Sequence, residues 1–352
     1  MTAVHVVVPE GIDDPARPSG GNAYDRRVCG ALAERGWPVR VHSVTGGWPR
    51  PDRAAYAGLD RVVRRIPDGA LTLLDGLVAS TAPDVLVPHS SRLRLIPLVH
   101  MPLGDGAADE DARGRERAVL TASASVVTTS AWSRRRLLDL YSLPDDRVHV
   151  AEPGVDLAPE APGTMGGGSF LCVAAVTPGK GHDLLVSALG TIRDLSWDCR
   201  CVGSLERDRG FAKALRRRAS EEGLAERVRF TGPRTGRELE QSYATADLLL
   251  LPSRAEAYGM VVTEALAHGL PVVASDVGGI SEALGHGADG MRPGLLVPPG
   301  DSDALARALC TWLGDPDVRR NWRRAARARR ASLSGWSTTT SVLARVLTET
   351  VG

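Results

Sequence analysis

Asp247-Leu248-Leu249-Leu250-Leu251-Pro252-Ser253-Arg254-Ala255-Glu256-Ala257-Tyr258-Gly259-Met260-Val261-Val262-Thr263-Glu264-Ala265-Leu266-Ala267-His268-Gly269 is the stretch whose reading decides the fold. Its apolar run reads as a strand buried on both faces, and the segment from Val261 to His268 reads as a helix stopped by Gly269. Strand, loop and helix in that order belong to a parallel α/β sheet, where ligands bind at the carboxyl ends of strands. Glu256 falls in the loop. Glu264 falls about two turns into the helix on the same side. The amides of Tyr258, Gly259, Met260 and Val261 form the helix N-terminus and suit an anionic or hydroxyl-rich ligand. Spacing alone also allows a solvated loop acid and a surface helix acid.

The rest of the chain repeats this unit. Strands are expected at Val4–Pro9, Val39–Val44, Asp84–Pro88, Leu95–His100, Ser125–Thr129 and Arg147–Val150. A loop ending in Pro18-Ser19-Gly20-Gly21-Asn22 leads into a helix from about Tyr24 to Arg35, closed by Gly36. Leu71 to Ser80 reads as helical, and Ser130 is placed to cap a helix at Trp132–Tyr141. Ala158 to Gly168, with three Pro/Gly clusters and no periodicity, reads as a linker. A second series follows. Its strands are expected near 170–174, 199–202, 228–230, 248–251, 271–274 and 294–297, and its helices near 182–189, 211–222, 238–244, 261–268, 280–284 and 303–313. The alternation predicts an α/β protein with two doubly wound, mostly parallel sheets in tandem. A last helix around Thr338–Leu347 follows Trp336, a large anchor for docking it elsewhere on the molecule.

The length of 352 residues suits two domains. A formal net charge of +1 gives no electrostatic case for nucleic acid binding. No apolar run approaches the roughly 20 residues that span a bilayer, and no secretory leader is recognisable, so a cytoplasmic protein is expected. The five cysteines, Cys29, Cys172, Cys199, Cys201 and Cys310, read as free thiols, mostly buried. The arginine-rich run from Arg319 to Arg330 reads as a solvated helix face, because no apolar and aromatic stripe opposes it.

Three further places carry chemistry. Gly20-Gly21 lies between the first strand and first helix, where close backbone approach and helix amides suit a phosphate; a simple turn is the alternative. Lys180, one of two lysines, sits in the Pro/Gly loop Thr177-Pro178-Gly179-Lys180-Gly181 at a strand's carboxyl end. A fixed ammonium there suits a diphosphate, at roughly 1.5–3 kcal/mol for a charge-assisted hydrogen bond; an exposed loop lysine is the alternative. His100 ends an apolar strand, in a context where a site role competes with a structural one. No metal constellation stands out, and Asp301-Ser302-Asp303 reads as a helix N-cap.

These residues resemble the retaining glycosyltransferases of family 4, which have the GT-B architecture. The resemblance runs through Gly20-Gly21, His100, Val126-Val127-Thr128-Thr129-Ser130, Pro153-Gly154-Val155-Asp156, Lys180-Gly181-His182-Asp183-Leu184-Leu185 and the E-x7-E from Glu256 to Glu264. It continues through Gly269–Gly279 and Gly294–Asp301. It implies two Rossmann-like doubly wound domains facing across a cleft. The N-terminal domain would cover 1–160, the donor domain 168–333, and a final helix, 336–352, would pack back onto the first domain.

By resemblance, Glu256 contacts the donor sugar near the reacting carbon and Glu264 holds the ribose hydroxyls. The amides at Tyr258–Val261 hold sugar hydroxyls and phosphate. Lys180 and the Gly21 amide neutralise the diphosphate, His100 contacts the sugar, and Gly203 and the backbone near Gly232-Pro233-Arg234 line the base pocket. Asn22 and Tyr24 are placed on the acceptor side. One departure stands out: the family usually has an arginine five residues before the lysine, where this chain has Ala175. Arg254 is the nearest substitute cation. A second departure is Glu152-Pro153, where the family often has Pro-Asn.

The resemblance implies metal-independent glycosyl transfer by front-side attack, with a nucleotide-diphosphate sugar as co-substrate, UDP- or GDP-linked, and no other cofactor. The acceptor is expected to be a small molecule rather than a lipid. A nucleotide-sugar epimerase, a phosphorylase or a non-catalytic sugar-nucleotide-binding protein on the same fold are the alternatives.

Overall fold

The computed structural model describes residues 3–16, 18–105 and 110–351. The expected first residues, Met1-Thr2, and the last residue of the expected helix, Gly352, lie outside the described residues. The chain divides into two compact units. The first comprises Met1–Asp13, Gly20–Gly154 and Gly335–Gly352; the second comprises Asp14–Ser19 and Val155–Ser334.

In the first unit six strands form one sheet, all paired in parallel: β1 Val4–Pro9, β2 Val39–Val44, β3 Leu71–Asp75, β4 Arg94–Val99, β5 Val126–Thr128 and β6 Val148–Val150. The order is β2-β1-β3-β4-β5-β6. The change of direction beside β1 is the kind of switch point at which open α/β sheets bind ligands. β1 and β3 are almost wholly buried, as strands covered on both faces must be. The terminal helix Trp336–Val351 belongs to this unit. Its Leu343, Val346 and Leu347 share one core with Val4, Val6, Tyr24, Val28 and Leu73. Trp336 lies edge-on to Tyr24, 5.8 Å between ring centres, with the Arg27 guanidinium on its face.

Two expected elements differ in this unit. Leu71 to Ser80 is not one helix: Leu71–Asp75 is the buried strand β3. Asp75 then accepts hydrogen bonds from the Leu77 and Val78 amides and caps a single helical turn, Gly76–Ala79. Asp84 to Pro88 is helical, not a strand. Pro83 stands at the first position of the turn Pro83–Leu86, where its fixed φ favours a helix start. Short apolar runs do not separate the two possibilities by periodicity. The glycine pair also differs from its expected loop, since the helix Gly20–Glu34 begins at Gly20.

The second unit holds β7 Ser169–Val173, β8 Asp198–Val202, β9 Val228–Gly232, β10 Leu248–Leu251, β11 Val272–Ser275 and β12 Gly294–Val297. All are parallel, in the order β12-β11-β10-β7-β8-β9. All six were expected from the sequence. The four leucines of β10 are buried on both faces between two apolar clusters. Asp301 caps the helix Ser302–Gly314 and Ser130 caps Ala131–Tyr141. Cys172, Cys199 and Cys201 are buried free thiols, while Cys310 is exposed.

The arginine-rich helix Pro316–Arg330 is less solvated than expected. Arg319, Arg329 and Arg330 donate to backbone carbonyls. Arg323 pairs at 2.7 Å with the fully buried Asp247, which also accepts from the Thr164 amide and hydroxyl and the Ser169 amide. That knot fastens the irregular segment 158–168 to the start of β7 and the residue before β10. Arginine's fork of donors suits such work, so charge density in the sequence overstated solvent exposure.

Candidate functional site

In the second unit β7 and β10 are parallel neighbours, so their carboxyl ends lie side by side. After β7 the chain makes the turn Pro178–Lys180 and enters the helix His182–Thr191 through Gly181. Gly181 has φ +69°, and a Cβ there would lie 1.9 Å from the Pro252 carbonyl oxygen. Only glycine lets the lysine turn press this closely on the loop after β10. The approach delivers Lys180 to Glu256: Nζ donates to Oε1 at 2.6 Å. Ser253 Oγ donates to the same oxygen at 2.9 Å. Lys180 is the more open partner, with 30% of its side chain exposed against 11% for Glu256. The pair therefore offers a solvent-facing ammonium above a recessed carboxylate. The ammonium can turn to an anionic ligand while the carboxylate accepts hydroxyl hydrogen bonds.

Arg254 is committed elsewhere. Its guanidinium donates to both Asp183 carboxylate oxygens, at 2.9 and 2.6 Å, and its amide donates to the Gly179 carbonyl at 2.8 Å. The Arg254 hydrogen bonds hold the Asp183 carboxyl below its ordinary value, against the opposing effect of burial. Arg254 thus clamps the lysine turn to the Glu256 loop. Arg254, the substitute the sequence suggested for a cation at position 175, is paired with Asp183.

Gly259 caps the helix Met260–Ala267. Among the four residues proposed for that turn, Tyr258 is buried in the core and Met260 and Val261 pack partly against it. What they could offer a ligand is backbone amides, since the first amides of a helix have no carbonyl four residues back within it; the Val262 amide that follows donates to the Gly259 carbonyl. Glu264 follows on the same helix, and Tyr243 Oη donates to its Oε2 at 2.6 Å. Burial pushes the Glu264 carboxyl above its ordinary value; the Tyr243 bond pulls the other way, and the charges of Glu240 and Asp156 add to the rise. Tyr243 stacks on His268, ring centres 5.1 Å apart and 15° from parallel. His268 in turn reaches the Pro159 carbonyl at 3.0 Å and Glu240 at 3.1 Å. Gly203, just past β8, packs on the Ala174 carbonyl and takes its amide bond to Gly232, so the two segments read as a base pocket adjoin.

In the first unit His100 follows β4 directly. Its Nε2 lies 2.8 Å from Asp25 Oδ1 and 3.7 Å from Asp75 Oδ2. Asp25 comes from the helix Gly20–Glu34, and Asp75 from the end of β3. A Cβ at Gly21 would stand 3.1 Å from the imidazole, so the absent side chain makes room for this ring. Burial works against the imidazolium, but the Asp25 charge and hydrogen bond, with Asp75, outweigh it and push the His100 pKa up to about 9. The Asp75 carboxyl is itself raised, by burial first and the neighbouring Asp25 charge second. The turn after His100 is held by buried Glu116, which accepts from the Leu103 and Gly104 amides, Ser80 and Tyr141.

Tyr24 does not fit the acceptor-binding role expected for it. It is 1% exposed, its hydroxyl donates to the Ala151 carbonyl, and its ring braces His100 edge-on. Asn22 lies in the first helical turn, half-buried. Asp25, Asp75, Ser253, Asp183 and Tyr243 were missed by sequence reasoning. Asp25 had a signal, standing one helical turn after Gly21 on the same face. Asp75 was hidden inside a segment read as a helix.

Two family models match the chain. "Glycosyltransferase Family 4" covers residues 18–159 and "Glycosyl transferases group 1" covers 167–315. The D-inositol 3-phosphate glycosyltransferase of Nocardia farcinica is 33% identical across 91% of this chain and 82% of its own length. The enzyme of that name from Jonesia denitrificans is 33% identical across 71% of this chain. This chain spans 65% of that relative's length. Among solved structures, sucrose-phosphate synthase from Thermosynechococcus elongatus superposes with a TM-score of 0.81 at 23% identity, covering 99% of both chains. Anabaena HepE in complex with UDP-glucose gives 0.77 at 19% identity, covering 99% of this chain and 100% of that one.

Proposed function

The chain belongs to family 4 of the glycosyltransferases, and from that premise we propose that it moves a sugar from a nucleoside-diphosphate sugar to an acceptor hydroxyl with retention of configuration. The observation that carries this reading is the Lys180–Glu256 pair, 2.6 Å apart at the adjoining ends of β7 and β10, with Glu264 one turn into the helix that follows. Lys180 answers the charge of the diphosphate, Glu256 accepts from donor-sugar hydroxyls, and Glu264 accepts from the ribose. His100 is assigned the sugar by the same family resemblance.

In the transfer, the bond from the anomeric carbon to the diphosphate oxygen breaks as the acceptor oxygen bonds to that carbon on the same face. The acceptor proton passes to a phosphate oxygen of the departing diphosphate. The protein supplies position and fixed charge, and electrostatic stabilisation of the leaving group is the larger part. Lys180 and the helix amides meet the diphosphate charge themselves, so the reading has turnover persist in a chelator.

A UDP-sugar is the first donor to test, because the similar Anabaena HepE is known in complex with UDP-glucose. A small polyol phosphate is the first acceptor class, because the relatives are named for D-inositol 3-phosphate. The experiment is a thermal-shift screen with UDP, GDP, ADP and dTDP, followed by mass spectrometry of the matching sugar nucleotides with and without inositol phosphates. A ligand that binds the native state raises its stability. A stabilising nucleotide and an acceptor-dependent glycoside support the reading. Clean epimerised sugar nucleotide in the absence of acceptor overturns it.

A further inference from the structure

We propose that Asp25 and Asp75 are positioning residues that fix the His100 ring and hold it as an imidazolium, so that its Nδ1–H is a standing donor to a phosphate or hydroxyl oxygen of the substrate. The inference rests on reading His100 as a residue that meets the substrate.

The geometry sets the tautomer. Asp25 Oδ1 lies 2.8 Å from Nε2, and a carboxylate can only accept there, so Nε2 carries a proton in every state of the ring. A neutral ring then has a bare Nδ1, which is an acceptor and cannot donate to a phosphate oxygen. Only the cation offers Nδ1–H. Asp25 thus links the usefulness of His100 to its charge.

The surroundings supply that charge consistently. Asp25 is 1% exposed and its second oxygen, Oδ2, is buried without a hydrogen-bond partner. A buried carboxylate satisfied on one oxygen only is costly unless a cation lies against it. The groups packed on the ring are Asp25, Tyr24 and Gly21 from the helix Gly20–Glu34, Asp75 and Gly76 from the end of β3, and Thr129, whose hydroxyl donates to the His100 carbonyl. Among them the charged groups are the two aspartates. The Tyr24 phenol is tied to the Ala151 carbonyl and held well above its ordinary value, by burial first. Arg27 lies one ring further out, over Trp336. The ring and the two acids therefore face each other with no competing cation among these partners.

The sign of the pH dependence follows. His100 is raised, so its useful form is present at neutral pH and is lost as pH rises through about 9. Asp25→Asn keeps an acceptor for Nε2–H and removes the charge. The test pairs nuclear magnetic resonance of ring-labelled histidine with the pH profile of kcat/KM, in the wild type, Asp25→Asn and Asp75→Asn. The expected wild-type midpoint for His100 is about 9. Asp25→Asn should lower it by more than about one pH unit. The alkaline limb of kcat/KM should move with it, so that activity lost at pH 8 returns at pH 6. Asp75→Asn should move both in the same direction, and it decides the matter if Asp25→Asn does not fold. A wild-type midpoint below 7, a midpoint unmoved in both variants, or a loss by the same factor at every pH overturns the inference. If no sugar nucleotide is turned over, the resonance titration alone decides the state of the ring, and the failure belongs to the proposed transfer.

Discussion

Replacing Lys180 by methionine keeps the aliphatic stem and removes the ammonium. That ammonium is bonded to Glu256 at 2.6 Å and is 30% exposed, so it can turn toward a diphosphate. A hydrogen bond to a charged group is worth about 1.5–3 kcal/mol, or roughly 10- to 150-fold in affinity. The assay is isothermal titration calorimetry with the nucleoside diphosphate selected by the thermal screen and, separately, with its nucleoside. Lys180→Met should weaken the diphosphate by that factor and leave the nucleoside within about twofold. Glu256→Gln is the companion variant. It releases Lys180 from its ion pair, so diphosphate binding should hold or tighten while turnover falls. If Lys180→Met weakens nucleoside and diphosphate alike, Lys180 serves only to hold the loop, and the assignment of a phosphate-facing cation is wrong.

Two other outcomes are expected. Tyr243→Phe removes the bond that orients Glu264, and should raise KM for the donor about fivefold with little change in kcat, the signature of about 1 kcal/mol of binding; an equal fall in kcat would place Glu264 at the reacting centre instead. Asp247→Ala strips the partner from Arg323, Thr164 and Ser169 at a fully buried position, and should cost about 3–5 kcal/mol in denaturant unfolding. A loss under about 1 kcal/mol would show that the knot does not bear on stability.

The second unit was more legible than the first, for a physical reason. Its central strands are short apolar runs bounded by clear turns, as at Leu248–Leu251 before Pro252, whose four leucines are all buried, while the outer strands Asp198–Val202 and Val228–Gly232 alternate buried and open positions. In the first unit Leu71–Asp75 and Pro83–Leu86 are apolar runs of similar length, one a strand and one a helical turn. What separates them is a capping carboxylate and a proline at the first turn, not periodicity. The site divides similarly. Lys180, Glu256 and Glu264 lie in a contiguous loop or at helical spacing and could be picked out. His100 could be singled out at its strand end, but Asp25 and Asp75 meet it from two other segments and share no spacing with it. The side chains that hold others in place, Asp183 and Tyr243, were not singled out because their partners come from other elements: Arg254 from the loop after β10 and Glu264 from the helix Met260–Ala267. Arg254 was noticed for its nearness in sequence, but its bidentate partner Asp183 lies 71 positions away and could not be read from it.

The placement of Trp336–Val351 has a consequence for how the molecule is made. Val4 and Leu347 belong to one core, although they come from opposite ends of the chain. During synthesis the core that holds Val4 cannot be completed until Trp336–Val351 has been translated. The residues of the second unit precede that helix, so the first unit is the one completed later. A premature stop just ahead of Trp336 would therefore do its harm in the first unit, exposing the apolar surface around Val4, Val6 and Tyr24 to aggregation or to proteases.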